Sequence, residues 1–204
     1  MNFENYIKAH DAFVFELDNV LYPEKDFLLQ VYYLFAQFIE YSEQQPATDV
    51  VRFMQETYSK EGHEGIFDKV AARFSIPETY RLNFDLLQRN VRLPLKLLLF
   101  DECLAFLQAI VLERKPIFLL LSGNPEAQLN KIRQMEWNGL EQYLTVYFSE
   151  ELETADHDRG LSYLINQHQL KGKNILFVVK TQDTLLQYDG ATINFLEVER
   201  LFLT

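Results

Sequence analysis

Five short apolar runs punctuate this chain, and helical spacing fills much of what lies between them. The runs cover residues 12–17, 117–121, 144–148, 174–179 and 191–195. They are nearly continuous in apolar character rather than alternating, as in strands buried on both faces of a sheet. Residues 102–112, 125–135 and 160–168 carry apolar positions at i, i+3 and i+4, the period of an amphipathic helix. Strands alternating with helices predict an α/β protein with a parallel five-stranded sheet flanked by helices.

Residues 24–94 differ in character. Phe27, Val31, Leu34, Phe35 and Phe38 recur at helical spacing, and 49–58, 66–74 and 78–89 also read as helices. Pro46, Gly62, Gly65 and Pro77 punctuate them. The pattern predicts a helical insertion after the first strand, dividing the chain into a core of 1–22 and 95–204 and an insert of 23–94. The aromatic stripe is assigned to packing within the insert.

Composition narrows the function classes. The 204 residues are 48% hydrophobic, with 17 Phe and 11 Tyr, enough for a sizeable core. Nineteen basic residues against thirty acidic ones give a net charge of -11. That balance disfavours nucleic acid and anionic membranes as partners. It also repels phosphorylated ligands unless a local positive centre intervenes. The single cysteine, Cys103, allows no internal disulfide and lies beside Asp101 and Glu102, so it is expected to be a structural thiol. Neither a signal-like leader nor a span-length apolar stretch stands out, and a cytoplasmic location is expected. The aromatic-rich insert is compatible with a dimer, but the sequence gives an oligomer no support.

Candidate chemistry gathers where apolar runs end. Glu16 and Asp18 sit i, i+2 at the end of the first run, a spacing that turns both carboxylates to one side of an extended chain. Open α/β sheets keep their ligand crevices at such carboxyl ends. The second run ends in Ser122-Gly123-Asn124 and the fourth in Lys180. Asn124 followed by Pro125 also reads as a helix N-cap with proline at the first helical position.

The stretch 12–23 resembles the first motif of the haloacid dehalogenase-like (HAD) phosphohydrolases, and Asp-Asn-x-Leu-Tyr-Pro at 18–23 is similar to their pyrimidine-nucleotidase-like branch. The resemblance covers nearly the whole chain in motif order. It implies a Rossmann-like core, a helical cap inserted after the first strand, and Mg²⁺-dependent phosphoryl transfer to an aspartate. By that resemblance Glu16 stands at the nucleophile, Asp18 at the acid/base, and Ser122, Gly123 and Asn124 at the phosphate.

Three of the four motifs are altered where the chemistry resides. Glu16 replaces the aspartate nucleophile and adds a methylene, displacing the carboxylate by ~1.5 Å. Attack geometry tolerates little error, and about 1 Å can cost ~100-fold. Asp156 falls where the phosphate-binding lysine belongs, with Arg159 or Lys171 able to substitute only after a shift in alignment. His157, between Asp156 and Asp158, reads better as part of a solvated helix start than as a metal ligand. Lys180 occupies the position of the metal-binding aspartate, Thr184 that of the second acid, and Asp183 lies one residue off register. Lys180 is therefore expected to replace the missing ion by pairing with Glu16, Asp18 or both.

Three readings compete. The leading one is a pseudoenzyme with a binding or regulatory role, needing no metal or other cofactor. The second is an active phosphohydrolase, phosphatase- or nucleotidase-like, using Glu16 and Asp18 with displaced ligands, Mg²⁺ and Asp183. The third is a sensor that holds a small phosphorylated molecule without chemistry.

Overall fold

The computed structural model describes residues 3–152, 160–181, 186–188 (backbone) and 190–203. Strand β1 spans Ala12–Phe15, β2 Ile117–Leu121, β3 Leu144–Phe148, β4 Asn174–Val179, β5 Leu186–Tyr188 and β6 Ala191–Glu197. They form one sheet in the order β3-β2-β1-β4-β6-β5. The first five in that order are parallel, and β5 closes the edge antiparallel to β6. The five-stranded parallel sheet predicted from the apolar runs is therefore present. The antiparallel β5 was not foreseen, because three residues give too short a pattern to read.

Parallel neighbours need crossover connections, and helices supply them. Helix α6 covers Asp101–Leu112, α7 Pro125–Gln134 and α8 Leu161–Gln167. The strands alternate in what they bury. Ala12 and Val14 join Phe118, Leu120, Ile175, Phe177 and α8 residues Leu161, Leu164 and Ile165 in one core cluster. Phe13 and Phe15 instead set their rings against Phe106 of α6, with centroids 5.7 and 6.0 Å away. Phe3 and Tyr6, on or beside the short helix α1 (Glu4–Ala9), complete that ring cluster. Two apolar faces explain why β1 reads as an unbroken apolar run. β3 differs from β1: it lies at an edge and is only half-buried.

Two compact units make up the chain. One comprises Met1–Pro23, Leu98–Gln128 and Met135–Thr204; the other, Glu24–Leu97 and Leu129–Gln134. The second is helical, with α2 (Glu24–Glu43), α3 (Ala47–Glu61), α4 (Ile66–Phe74) and α5 (Arg81–Asn90). Its core is aromatic: Phe35, Phe67 and Phe84 meet at centroid distances of 5.0 to 5.9 Å. The end of α7 groups with this unit for a visible reason. Asn130 and Gln134 both donate to the Val91 carbonyl at 2.9 Å, and Lys131 lies 5.0 Å from the Phe27 ring centroid.

Candidate active site

Along the sheet, the chain runs outward from β1 through β2 to β3, then returns to β4 and runs outward to β6. The direction of winding reverses between β1 and β4, and their carboxyl ends form the topological switch point where such sheets bind ligands. Glu16 follows β1 and Lys180 follows β4. The Glu16 N–H extends the ladder to the Val178 carbonyl at 3.2 Å. In return, Glu16 Oε2 accepts the backbone N–H of Lys180 at 3.2 Å. This contact runs through the Lys180 main chain. Among the described residues the Lys180 ammonium enters no ion pair, whereas the sequence had suggested pairing with Glu16, Asp18 or both.

The strand also ends earlier than its pattern suggests, at Phe15 rather than Leu17. The Leu17 carbonyl accepts the N–H groups of Val20 and Leu21 at 3.2 and 3.0 Å, and Asn19 turns left-handed at φ 61°. Asp18 therefore lies in a tight turn rather than on the strand, bridged to Tyr22. Among the described residues, neutral donors reach both of its oxygens. Tyr22 Oη, in a fully buried side chain, donates to Oδ1 at 2.6 Å, and Gln128 Nε2 donates to Oδ2 at 3.1 Å.

Gln128 ties this turn to the loop after β2. Its Nε2 also donates to the Ser122 carbonyl, at 3.0 Å. Gln128 is the fourth residue of α7, and helical side chains tilt toward the N-terminus, which brings it back to the loop that starts the helix. Sequence reasoning missed it, although a polar residue one turn into an apolar-facing helix start is a readable signal. Its buried Oε1 has no hydrogen-bond partner among the described residues.

The loop itself is exposed at Ser122, Gly123 and Asn124. Asn124 Oδ1 accepts the Ala127 N–H at 3.0 Å, the N-cap geometry that its place before Pro125 suggests. Gly123 has φ +94°, a left-handed value that a side chain would strain. Its N–H donates to Glu150 Oε1. Glu150 belongs to the short helical turn Ser149–Glu151 directly after β3. A carboxylate of this chain thus occupies a donor of the loop expected to hold phosphate.

Asp156, His157, Arg159, Asp183 and Thr184 lie outside the described residues. Among the described residues, no three of His, Cys, Asp and Glu gather as metal ligands. A hard divalent cation takes about six oxygens. The described groups here are two carboxylates already accepting backbone, hydroxyl and amide hydrogens, with a lysine third in the set.

The parallel sheet and the helical segment between its first two strands give the chain a Rossmann-like α/β fold, the architecture that its resemblance to HAD-like hydrolases implies. No family model matches the chain, and no curated protein matches it. Solved structures similar to it include an HAD phosphatase from Thermococcus onnurineus, at 12% identity over 94% of this chain and 95% of that one, TM-score 0.48. A hydrolase from Streptococcus pneumoniae TIGR4 is similar at 14% identity over 85% and 84%, TM-score 0.44. The L-2-haloacid dehalogenase of Xanthobacter autotrophicus, with chloropropionic acid covalently bound, is similar at 12% over 84% and 70%, TM-score 0.45. None of them carries its activity to this chain. Among the described residues, no helix is long and apolar enough to cross a membrane.

Proposed function

We propose that this chain is a haloacid dehalogenase-like protein whose phosphohydrolase site is degenerate, and that it acts by binding rather than by turnover. The observation that carries the reading is the Gly123 amide, which donates to Glu150. An internal carboxylate there takes the place of a substrate oxygen and repels any phosphate that approaches. Asp18 supports the same reading. An acid/base group must exchange its proton with the reacting atoms, within hydrogen-bond reach. Both Asp18 oxygens already accept from Tyr22 and Gln128. Glu16 in place of aspartate and Lys180 in place of a metal ligand complete a consistent set. Loss of chemistry leaves a scaffold able to hold a ligand or partner.

The test is a phosphatase assay on the intact protein with p-nitrophenyl phosphate and Mg²⁺. The expected result is no release above that of Glu16→Ala. Mg²⁺-dependent turnover that Glu16→Ala abolishes would overturn the proposal and favour an active phosphohydrolase.

A further inference from the structure

A second cluster of charge lies within the helical unit. The segment after α5 and the end of α7 enclose a cleft of about 670 Å³ lined by Arg92, Leu93, Pro94, Leu95, Lys96, Arg133 and Gln134. Three of these side chains are cationic, and none is acidic. In a chain with thirty acids against nineteen bases, such a lining is a local reversal of sign. Elsewhere in the same unit, Arg52, Lys69 and Arg81 each pair with an acid. Among the described residues, Arg92, Lys96 and Arg133 enter no ion pair, and all three are exposed.

Helix ends account for part of this placement. Arg133 is in the last turn of α7, and Arg92 follows the end of α5, where the helix dipole favours cations. That explains two of the positions but provides no counter-charge for the cleft.

The wall that carries these charges is fixed in place. Gln134 Nε2 and Asn130 Nδ2 hold the Val91 carbonyl at 2.9 Å, and Gln134 Oε1 accepts the Leu93 N–H at 2.5 Å. Gln30 Oε1 accepts the Leu95 N–H at 2.7 Å. Side-chain amides from α2 and α7 thus pin a segment with no regular structure of its own. Such pre-ordering lowers the entropic cost of binding. Two guanidinium groups give forked donors suited to phosphate, and a lysine adds a point charge. The volume falls within the roughly 300–1,000 Å³ of small-molecule sites. Pro94 and Leu95 offer apolar surface to the body of a ligand.

We propose that this cleft binds a small molecule bearing two or more phosphate charges. The proposal does not rest on the reading of Glu16 and Asp18, since every residue that builds the cleft belongs to the helical unit.

Inorganic pyrophosphate titrated into the intact protein by calorimetry at low ionic strength is the direct test. One equivalent should bind, and the affinity should fall about tenfold for each cation removed, the scale of a charge-assisted hydrogen bond. Arg92→Ala with Arg133→Ala, and separately Lys96→Glu, should weaken binding without altering the thermal melt. Lys60→Ala, which removes a cation of the same unit away from the cleft, should leave it unchanged. Absence of binding at millimolar pyrophosphate would overturn the proposal. So would binding that survives the paired arginine substitutions, or equal weakening by Lys60→Ala.

Discussion

Asp18→Ala separates a structural carboxylate from a catalytic one by the sign of its effect on stability. Removing Asp18 takes the acceptor from two donors: the Tyr22 hydroxyl, in a fully buried side chain, and one hydrogen of the buried Gln128 amide. A buried donor left unpaired costs about 1–3 kcal/mol. Tyr22 belongs at the upper end, about 2 kcal/mol, and Gln128 at the lower, about 1 kcal/mol, because its Nε2 keeps the Ser122 carbonyl. Relief of repulsion with Glu16 returns about 0.5–1 kcal/mol, since both carboxylates are only half-buried. The net loss is about 2 kcal/mol, a fall in Tm of about 4–8 °C for a chain of this size. Circular dichroism melts of Asp18→Ala, Tyr22→Phe and the double variant measure it. Tyr22→Phe should cost about 1.5 kcal/mol alone but restore about 1–2 kcal/mol on the Asp18→Ala background, where it removes the hydroxyl that has lost its acceptor, a coupling typical of contacting groups. An Asp18→Ala protein as stable as the parent or more so, with additive effects, would refute the anchoring role. That outcome is the one expected of a site that gives up stability for function.

Two further outcomes follow from titrating groups. His63 in the helical unit shares hydrogen bonds with Tyr32 Oη at 2.8 Å and Gln88 Oε1 at 3.1 Å, and burial lowers its pKa below the ordinary 6.5. The folded state thus resists protonation more than the unfolded chain does. Its contribution is complete above about pH 6.5 and is lost as pH falls through the lower folded value. Tm against pH should therefore decline on the acid side, and His63→Gln should flatten that part of the curve. Cys103 donates to the Val20 carbonyl at 3.1 Å, and burial, with Glu102 nearby, pushes its thiol up to about 12. Disulfide-exchange reagents at pH 8 should label it only at the rate of unfolding, and prompt labelling of the native protein would contradict that burial.

Much of the architecture was legible because burial imposes a readable pattern. Strands covered on both faces must be apolar throughout, and the runs at 117–121 and 174–179 coincide with β2 and β4; the run at 144–148 coincides with the half-buried edge strand β3. The limits of β1 were not legible in the same way. Leu17 is as apolar as its neighbours, yet its carbonyl is claimed by the turn to Val20 and Leu21. Periodicity records which side chains are buried, and is blind to where backbone hydrogen bonding changes partner.

The same division holds at the site. The identities of Glu16, Asp18 and Lys180 are in the sequence, and so is the departure of Glu16 and Lys180 from the aspartates that the resemblance implies at those positions. What holds each carboxylate is not. Gln128 reaches Asp18 from 110 positions away, and Glu150 meets Gly123 across 27. Lys180 contributes its amide where its ammonium was expected. Charge and residue type are properties of the chain. Which donor satisfies which acceptor depends on the crossing of β1, β2 and β4, and only the folded sheet brings those strand ends together.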